Sequence, residues 1–173
     1  MDLEKILPTN GPSINEVKKY IEKYLEEIIV IKCGGSVLLD ENLFKQFIED
    51  ISVIYKLGLS VIVVHGGGKN IKKKLDELNI ESKFIDGLRV TDEITIKVVE
   101  EALLELNSEI INNLKNLQTN AESVAPHNKN LIKVKPEKKE LGFVGSPKEI
   151  DLKGILNIIK EKKNSNSSAY GYQ

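Results

Sequence analysis

The chain has 173 residues, 40% of them apolar, with 25 Lys plus Arg against 26 Asp plus Glu, a net charge of -1 and one cysteine. That is enough chain for one domain or one large lobe with a real core, and its balanced charge argues against nucleic acid as the main partner. The lone Cys33 excludes an internal disulfide and a cysteine-rich zinc site, and no apolar run approaches the roughly 18 residues of a membrane helix.

Residues 1–12 read as a flexible N-terminus, and "MDLEKILPTNG" lacks the basic-then-apolar layout of a secretory signal. The expected location is therefore the cytoplasm, with a plastid or other organelle interior as the alternative. Ser13-Ile14-Asn15-Glu16 has the form of a capping box. Ile14, Val17, Ile21, Tyr24, Leu25 and Ile28 then recur at helical spacing, which predicts a helix over 13–27. Its apolar stripe begins before any core strand, so the helix is expected to pack on a partner copy.

"EIIVIK" is a buried strand ending at Lys32, and Gly34-Gly35 turns the chain into an amphipathic helix that stops near Gly58. "SVIVVH" is a second apolar strand, ended by Gly66-Gly67-Gly68, and the next helix places Ile71, Leu75 and Leu78 on one face. "SKFIDGLRVTD" reads as strand and loop, with Thr91 or Asp92 able to cap the long helix that carries Val98, Leu106, Ile110 and Leu117. "ESVA" and "NLIKVK" are short strand candidates, "ELGFVGSPKEID" a strand and turn, and "ILNIIK" a last short helix. Residues 162–173 are polar and low in complexity, and a disordered tail is expected there.

Strand, glycine turn and helix, twice in succession, predict an α/β fold built on a parallel sheet. Ligands on such sheets bind beyond the carboxyl ends of the strands, where both glycine turns lie. The dinucleotide pattern G-x-G-x-x-G fails because its last position falls on Ile71. The P-loop pattern fails because Val63 stands where its first glycine belongs and Asn70 where Ser or Thr does.

An anion still suits the pattern. Glycine turns let backbone N–H groups approach a ligand with no Cβ in the way, and a following helix adds its positive dipole end. Lys32 lies beside Gly34-Gly35, where a fixed cation could neutralise a transferring phosphoryl group. The competing reading is two tight turns and an incidental lysine.

Arg89 in "DGLRVTD" carries a fork suited to a carboxylate, against the plainer reading of a surface arginine. His65 reads as a strand-end hydrogen-bonding residue rather than a base. Cys33 reads as a small buried thiol, because no histidine is near it in sequence. Lys72-Lys73-Lys74 reads as a solvated helix face.

Together, "VIKCGGSVL", "VIVVHGGGKNI" and "DGLRVTDEITIKVVEEAL" resemble the N-acetylglutamate kinases of the amino acid kinase family, from about Ile14 to Ile159. The resemblance implies a three-layer αβα sandwich of which residues 28–161 form the N-terminal, acetylglutamate-binding lobe. It also implies phosphorylation of the side-chain carboxylate of N-acetyl-L-glutamate by ATP with Mg2+, in arginine biosynthesis. By the same resemblance Lys32 stabilises the transferring group, and Gly34 and Gly35 turn against the ATP phosphates. Gly67 and Gly68 donate backbone N–H groups to acetylglutamate, and Arg89 holds its α-carboxylate; no residue of the chain is assigned to a metal. The helix over 13–27 resembles that of hexameric family members inhibited by L-arginine, in which such helices interlace between dimers, so a homo-oligomer, dimer or hexamer, is expected through it.

Three departures stand against the family pattern. Lys69 replaces a common proline. Ser123, Val124, Ala125, Pro126 and Asn128 replace a glycine turn followed by an acid. After the helix around Ile155 to Lys160, the nucleotide-binding lobe of the family has no counterpart, so the chain is expected to be a truncated kinase. A non-catalytic acetylglutamate-binding module is the alternative, and a nucleotide-dependent oxidoreductase a distant third.

Overall fold

The computed structural model describes residues 2–124 and 131–167. They fall into two compact units, one within residues 2–66 and 109–121 and one within residues 67–108, 122–124 and 131–167.

The first unit opens with a short helix α1 (Leu3–Ile6) and α2 (Ile14–Tyr24). The expected capping box is present: the Ser13 hydroxyl accepts from the Glu16 N–H, and the Glu16 carboxylate accepts from the Ser13 N–H at 3.0 Å. Val17 is buried with Leu3 and Leu57, and Ile14, Ile21 and Val53 pack on the same cluster. The stripe expected to meet a partner copy thus covers the C-terminal part of the next helix, whose own apolar side chains would otherwise face water.

Strands β1 (Ile28–Cys33) and β2 (Ser60–His65) run parallel, in register from Ile28↔Ser60 to Cys33↔His65. A parallel pair needs a long crossover, and α3 (Glu41–Lys56) supplies it. The helix starts where the Asp40 carboxylate accepts from the N–H groups of Asn42 and Leu43, at 3.0 and 2.9 Å. Ser52 and Thr119 are both buried and satisfy each other through a 2.9 Å hydroxyl pair.

The second unit holds α4 (Gly68–Glu77), the hairpin β3 (Phe84–Ile85) with β4 (Leu88–Arg89), and most of α5 (Glu93–Asn116). A second antiparallel hairpin, β5 (Ile132–Pro136) with β6 (Gly145–Ile150), precedes α6 (Leu152–Ser167). Its core joins α4 to α5 through Ile71, Leu75, Val98 and Ala102, with Leu75 fully enclosed. Leu78, expected on that face, is exposed because α4 ends at Glu77.

Lys74 departs from the solvated face expected of the three lysines. Its ammonium reaches Glu105 at 2.6 Å and Glu101 at 3.2 Å on α5, tying the two helices together. The Glu105 hydrogen bond is the main cause that holds its pKa above the ordinary lysine value. Lys72 pairs one turn along its own helix, with Asp76 at 2.6 Å.

Asp92, rather than Thr91, caps α5, accepting from Thr95 at 2.7 Å and Ile94 at 3.2 Å. Residues 122–124 of the expected "ESVA" strand are not extended into a ladder, while Ala125, Pro126 and Asn128 lie outside the described residues. The last helix continues to Ser167, six residues into the expected polar tail; Lys and Glu in "KEKK" are good helix formers.

Two outcomes follow from this packing. Leu75→Ala empties a fully enclosed site and is expected to cost about 2–5 kcal/mol, read as a lower denaturation midpoint; a loss under 1 kcal/mol would contradict the enclosed core. The pKa of Asp92 is depressed, chiefly by the Thr95 backbone N–H. Its stabilising contribution is therefore full above the ordinary aspartate range and fades as pH falls through the lowered folded value. Asp92→Asn keeps a capping oxygen but cannot titrate, so it should flatten the acid limb of the stability–pH curve. An acid limb unchanged in steepness would refute that assignment.

Candidate functional site

In-register parallel pairing makes β1 and β2 end side by side, so both glycine turns leave the same end of the sheet. The Gly66 N–H donates to the Cys33 carbonyl at 3.2 Å, fastening the start of one turn to the other. Lys32 lies one residue before the end of β1 and is exposed. Cys33 alternates to the inside and is buried, and burial raises its thiol pKa. A protonated, enclosed thiol is a packing group and not a nucleophile. The His65 Nδ1 lies 3.3 Å from the Gly66 carbonyl oxygen, as expected of a strand-end hydrogen-bonding residue.

Backbone angles separate the two readings of the glycines. Positive φ occurs among the described glycines at Gly58, Gly87 and Gly142, and at neither glycine turn. These turns therefore do not need glycine for a left-handed conformation. A Cβ at Gly34, Gly66 or Gly68 would meet open space, so the missing side chains leave backbone bare. Bare N–H groups at the start of a ten-residue helix are what an anionic or carbonyl ligand needs. Gly67 differs: a Cβ there would come within 2.6 Å of Leu103 Cδ2, so its absence lets the first turn of α4 approach α5.

Arg89 ends β4, opposite Phe84. Asp86 and Gly87 both have positive φ, at 51° and 80°, the backbone of a type I′ hairpin turn. The segment expected as strand and loop is thus a hairpin, and the Asp-Gly pair between "KFI" and "LRV" is its signal in the sequence. The Arg89 guanidinium lies 4.8 Å above the Phe84 ring centroid, and its Nη1 donates to the Ser82 hydroxyl. The hairpin tip is held by Lys138, whose ammonium meets the Asp86 carboxylate at 3.3 Å.

Behind Arg89, Thr91 is buried and works through three bonds. Its hydroxyl donates to the Arg89 carbonyl at 3.0 Å. Its N–H donates to Leu141, and its carbonyl accepts from Phe143 at 2.7 Å. Between those two residues, Gly142 has φ of 67°, and a Cβ there would stand 2.2 Å from the Thr91 oxygen. Thr91 and Gly142 are support residues that sequence reasoning missed. Nothing in the local sequence reveals them, because their contact spans some fifty residues.

The first unit therefore presents Lys32, Gly34 and Gly35 at the end of a parallel strand, and the second presents Gly67 and Gly68 at a helix start and Arg89 on a braced hairpin. A cation with open backbone suits a phosphate, and a restrained guanidinium suits a carboxylate. Among the described residues, no group of three or more His, Cys, Asp or Glu side chains is placed to hold a metal ion.

Comparison with known proteins agrees on the lineage. Acetylglutamate kinase of Pelagibacter ubique is 53% identical over 162 residues, covering 94% of this chain and 56% of that protein. Acetylglutamate kinase of Campylobacter fetus is 40% identical, covering 82% of this chain and 51% of that protein. The chain thus spans about half the length of these relatives. Among solved structures, the smu.665 protein of Streptococcus mutans superimposes with a TM-score of 0.66 at 27% identity, covering 78% of this chain and 55% of that one. N-acetylglutamate synthase of Neisseria gonorrhoeae, at 16% identity and a TM-score of 0.68, covers 87% of this chain and 36% of its own and shares the fold alone. The model of the amino acid kinase family matches residues 27–164, most of the chain. With that match and the parallel pair ending in two open glycine turns, the chain belongs to the amino acid kinase family.

Proposed function

We propose that this chain is the amino-acid-binding lobe of an acetylglutamate kinase. The reaction is attack of the side-chain carboxylate of N-acetyl-L-glutamate on the γ-phosphorus of ATP, forming an acyl phosphate and releasing ADP. The observation that carries the reading is the 53% identity to the Pelagibacter kinase over a span that includes every candidate residue. The open glycine turns and the braced Arg89 support it independently.

In this reading Lys32 balances charge on the moving phosphoryl group, and Gly34 and Gly35 let the ATP phosphates approach bare backbone. Gly67 and Gly68 offer N–H groups to acetylglutamate, and Arg89 grips its α-carboxylate. Such a site works by positioning and charge neutralisation, with no covalent enzyme intermediate. Magnesium enters with the nucleotide, and no described residue is assigned to it. A buried, protonated thiol suits the reducing interior of a cell or organelle, and no described helix is long and apolar enough to cross a membrane.

The reading extends to a homo-oligomer, dimer or hexamer, joined through α2 and open to L-arginine as feedback inhibitor. With Val17 turned inward, the face left for a partner carries Tyr20, 58% exposed and stacked on Tyr24 at 6.3 Å between ring centroids. Tyr20→Glu should lower the mass seen by light scattering; an unchanged mass would remove α2 from the interface.

Calorimetry on the 173-residue chain tests the substrate. Arg89→Lys should weaken acetylglutamate binding by about 1.5–3 kcal/mol, the scale of a charged hydrogen bond, and equal affinity would take Arg89 out of the site. The chain alone is expected to form no acetylglutamyl phosphate above background with ATP and magnesium. Fused to the remaining portion of the Pelagibacter relative, it should turn over at about 1–100 per second. Lys32→Ala in that fusion should slow it about 100- to 1,000-fold. Turnover indifferent to Lys32 would defeat the proposed chemistry.

A further inference from the structure

An arginine that grips a carboxylate with two parallel N–H groups must hold its fork still, and its long side chain resists that. In this hairpin the guanidinium is fixed on two sides before any ligand arrives. Its Cζ lies 4.8 Å from the centroid of the Phe84 ring, a cation–π distance. Its Nη1 donates to the Ser82 hydroxyl, seven residues back and just ahead of β3. Phe84 is the cross-strand neighbour of Arg89 in the β3–β4 register, so the type I′ turn itself sets the ring under the cation.

We infer that Phe84 and Ser82 are positioning residues that aim Arg89 at the substrate carboxylate, leaving its Nε–Nη2 edge as the gripping pair. The inference rests on the carboxylate role of Arg89 proposed above. One N–H of Nη1 is spent on Ser82, so the edge with both of its nitrogens uncommitted is that of Nε and Nη2. The Nε–H and the neighbouring Nη2–H are parallel and match the spacing of two carboxylate oxygens. Phe84 is 56% exposed, and the Arg89 guanidinium stands over its ring. Covering it with a cation both shields the ring and removes rotamers that the arginine would otherwise lose on binding.

The test uses the intact chain labelled with 15N, alone and with N-acetyl-L-glutamate. Without ligand, the Arg89 side-chain protons should sit upfield of free arginine because of the Phe84 ring current. That shift should vanish in Phe84→Leu and survive in Phe84→Tyr. On adding acetylglutamate, the Arg89 Nε–H signal should move downfield, as a side-on grip requires. By calorimetry, Phe84→Leu should bind about 2- to 5-fold more weakly, with Phe84→Tyr restored to the parent value. Adding Ser82→Ala to Phe84→Leu should bring the loss to about 10-fold. The penalty should shrink for the α-amide of N-acetyl-L-glutamate, which lacks the carboxylate charge; a merely structural role would penalise both ligands alike. Arg89 protons at free-arginine positions would overturn the inference. So would a loss with Arg89→Lys that Phe84→Leu does not share. Affinity untouched by Arg89→Lys, or no binding by the parent chain, would instead defeat the underlying carboxylate reading, and the aiming role with it.

Discussion

Everything the first unit offers a ligand depends on one ladder, the in-register parallel pairing of β1 with β2. Parallel strands finish at the same end, so the residues that follow them are brought side by side whatever their separation in sequence. Here the chain places a bare glycine after each strand, and the Gly66-to-Cys33 hydrogen bond continues the ladder one step into the turns. The alternation of the same strand turns Lys32 outward and Cys33 inward. A shift of one residue would exchange them, burying an ammonium and exposing a thiol.

The second unit relies on a different device. Arg89 sits on a two-residue-per-strand hairpin, too short to be stable by its own ladder. The hairpin is held from outside: at its tip through Lys138 and Asp86, and at its base through Thr91 between Leu141 and Phe143. Gly142 makes the base possible, because only a residue without a side chain fits against the Thr91 carbonyl at that φ. Arg89 is thus braced in its backbone by a distant segment and in its side chain by its own hairpin.

Glycine does three separate things in this chain, and the sequence writes all of them with one letter. At Gly87 and Gly142 it permits a left-handed backbone. At Gly67 it permits close packing against Leu103, and at Gly34, Gly66 and Gly68 it leaves N–H groups uncovered. A consecutive "GGG" invites a single explanation, yet its middle member is a packing residue and its flanks are not.

The amino-acid order alone carries the elements that rest on short-range physics. The Ser13–Glu16 capping box, the span of β2, the crossover α3 and the helix after the glycine triplet are all written within a few neighbouring residues, because hydrogen-bond reach and side-chain periodicity act at that range. It also determined the lineage, since three motifs in a fixed order leave little room for coincidence. Packing in three dimensions settled what depends on distant partners. It turned the α2 stripe inward onto Val53 and Leu57, bound Lys74 to Glu101 and Glu105, and set Gly142 against Thr91. Each of these is a choice between groups that are locally equivalent. Residues tens of positions away settle it, through burial and charge that no window along the chain contains.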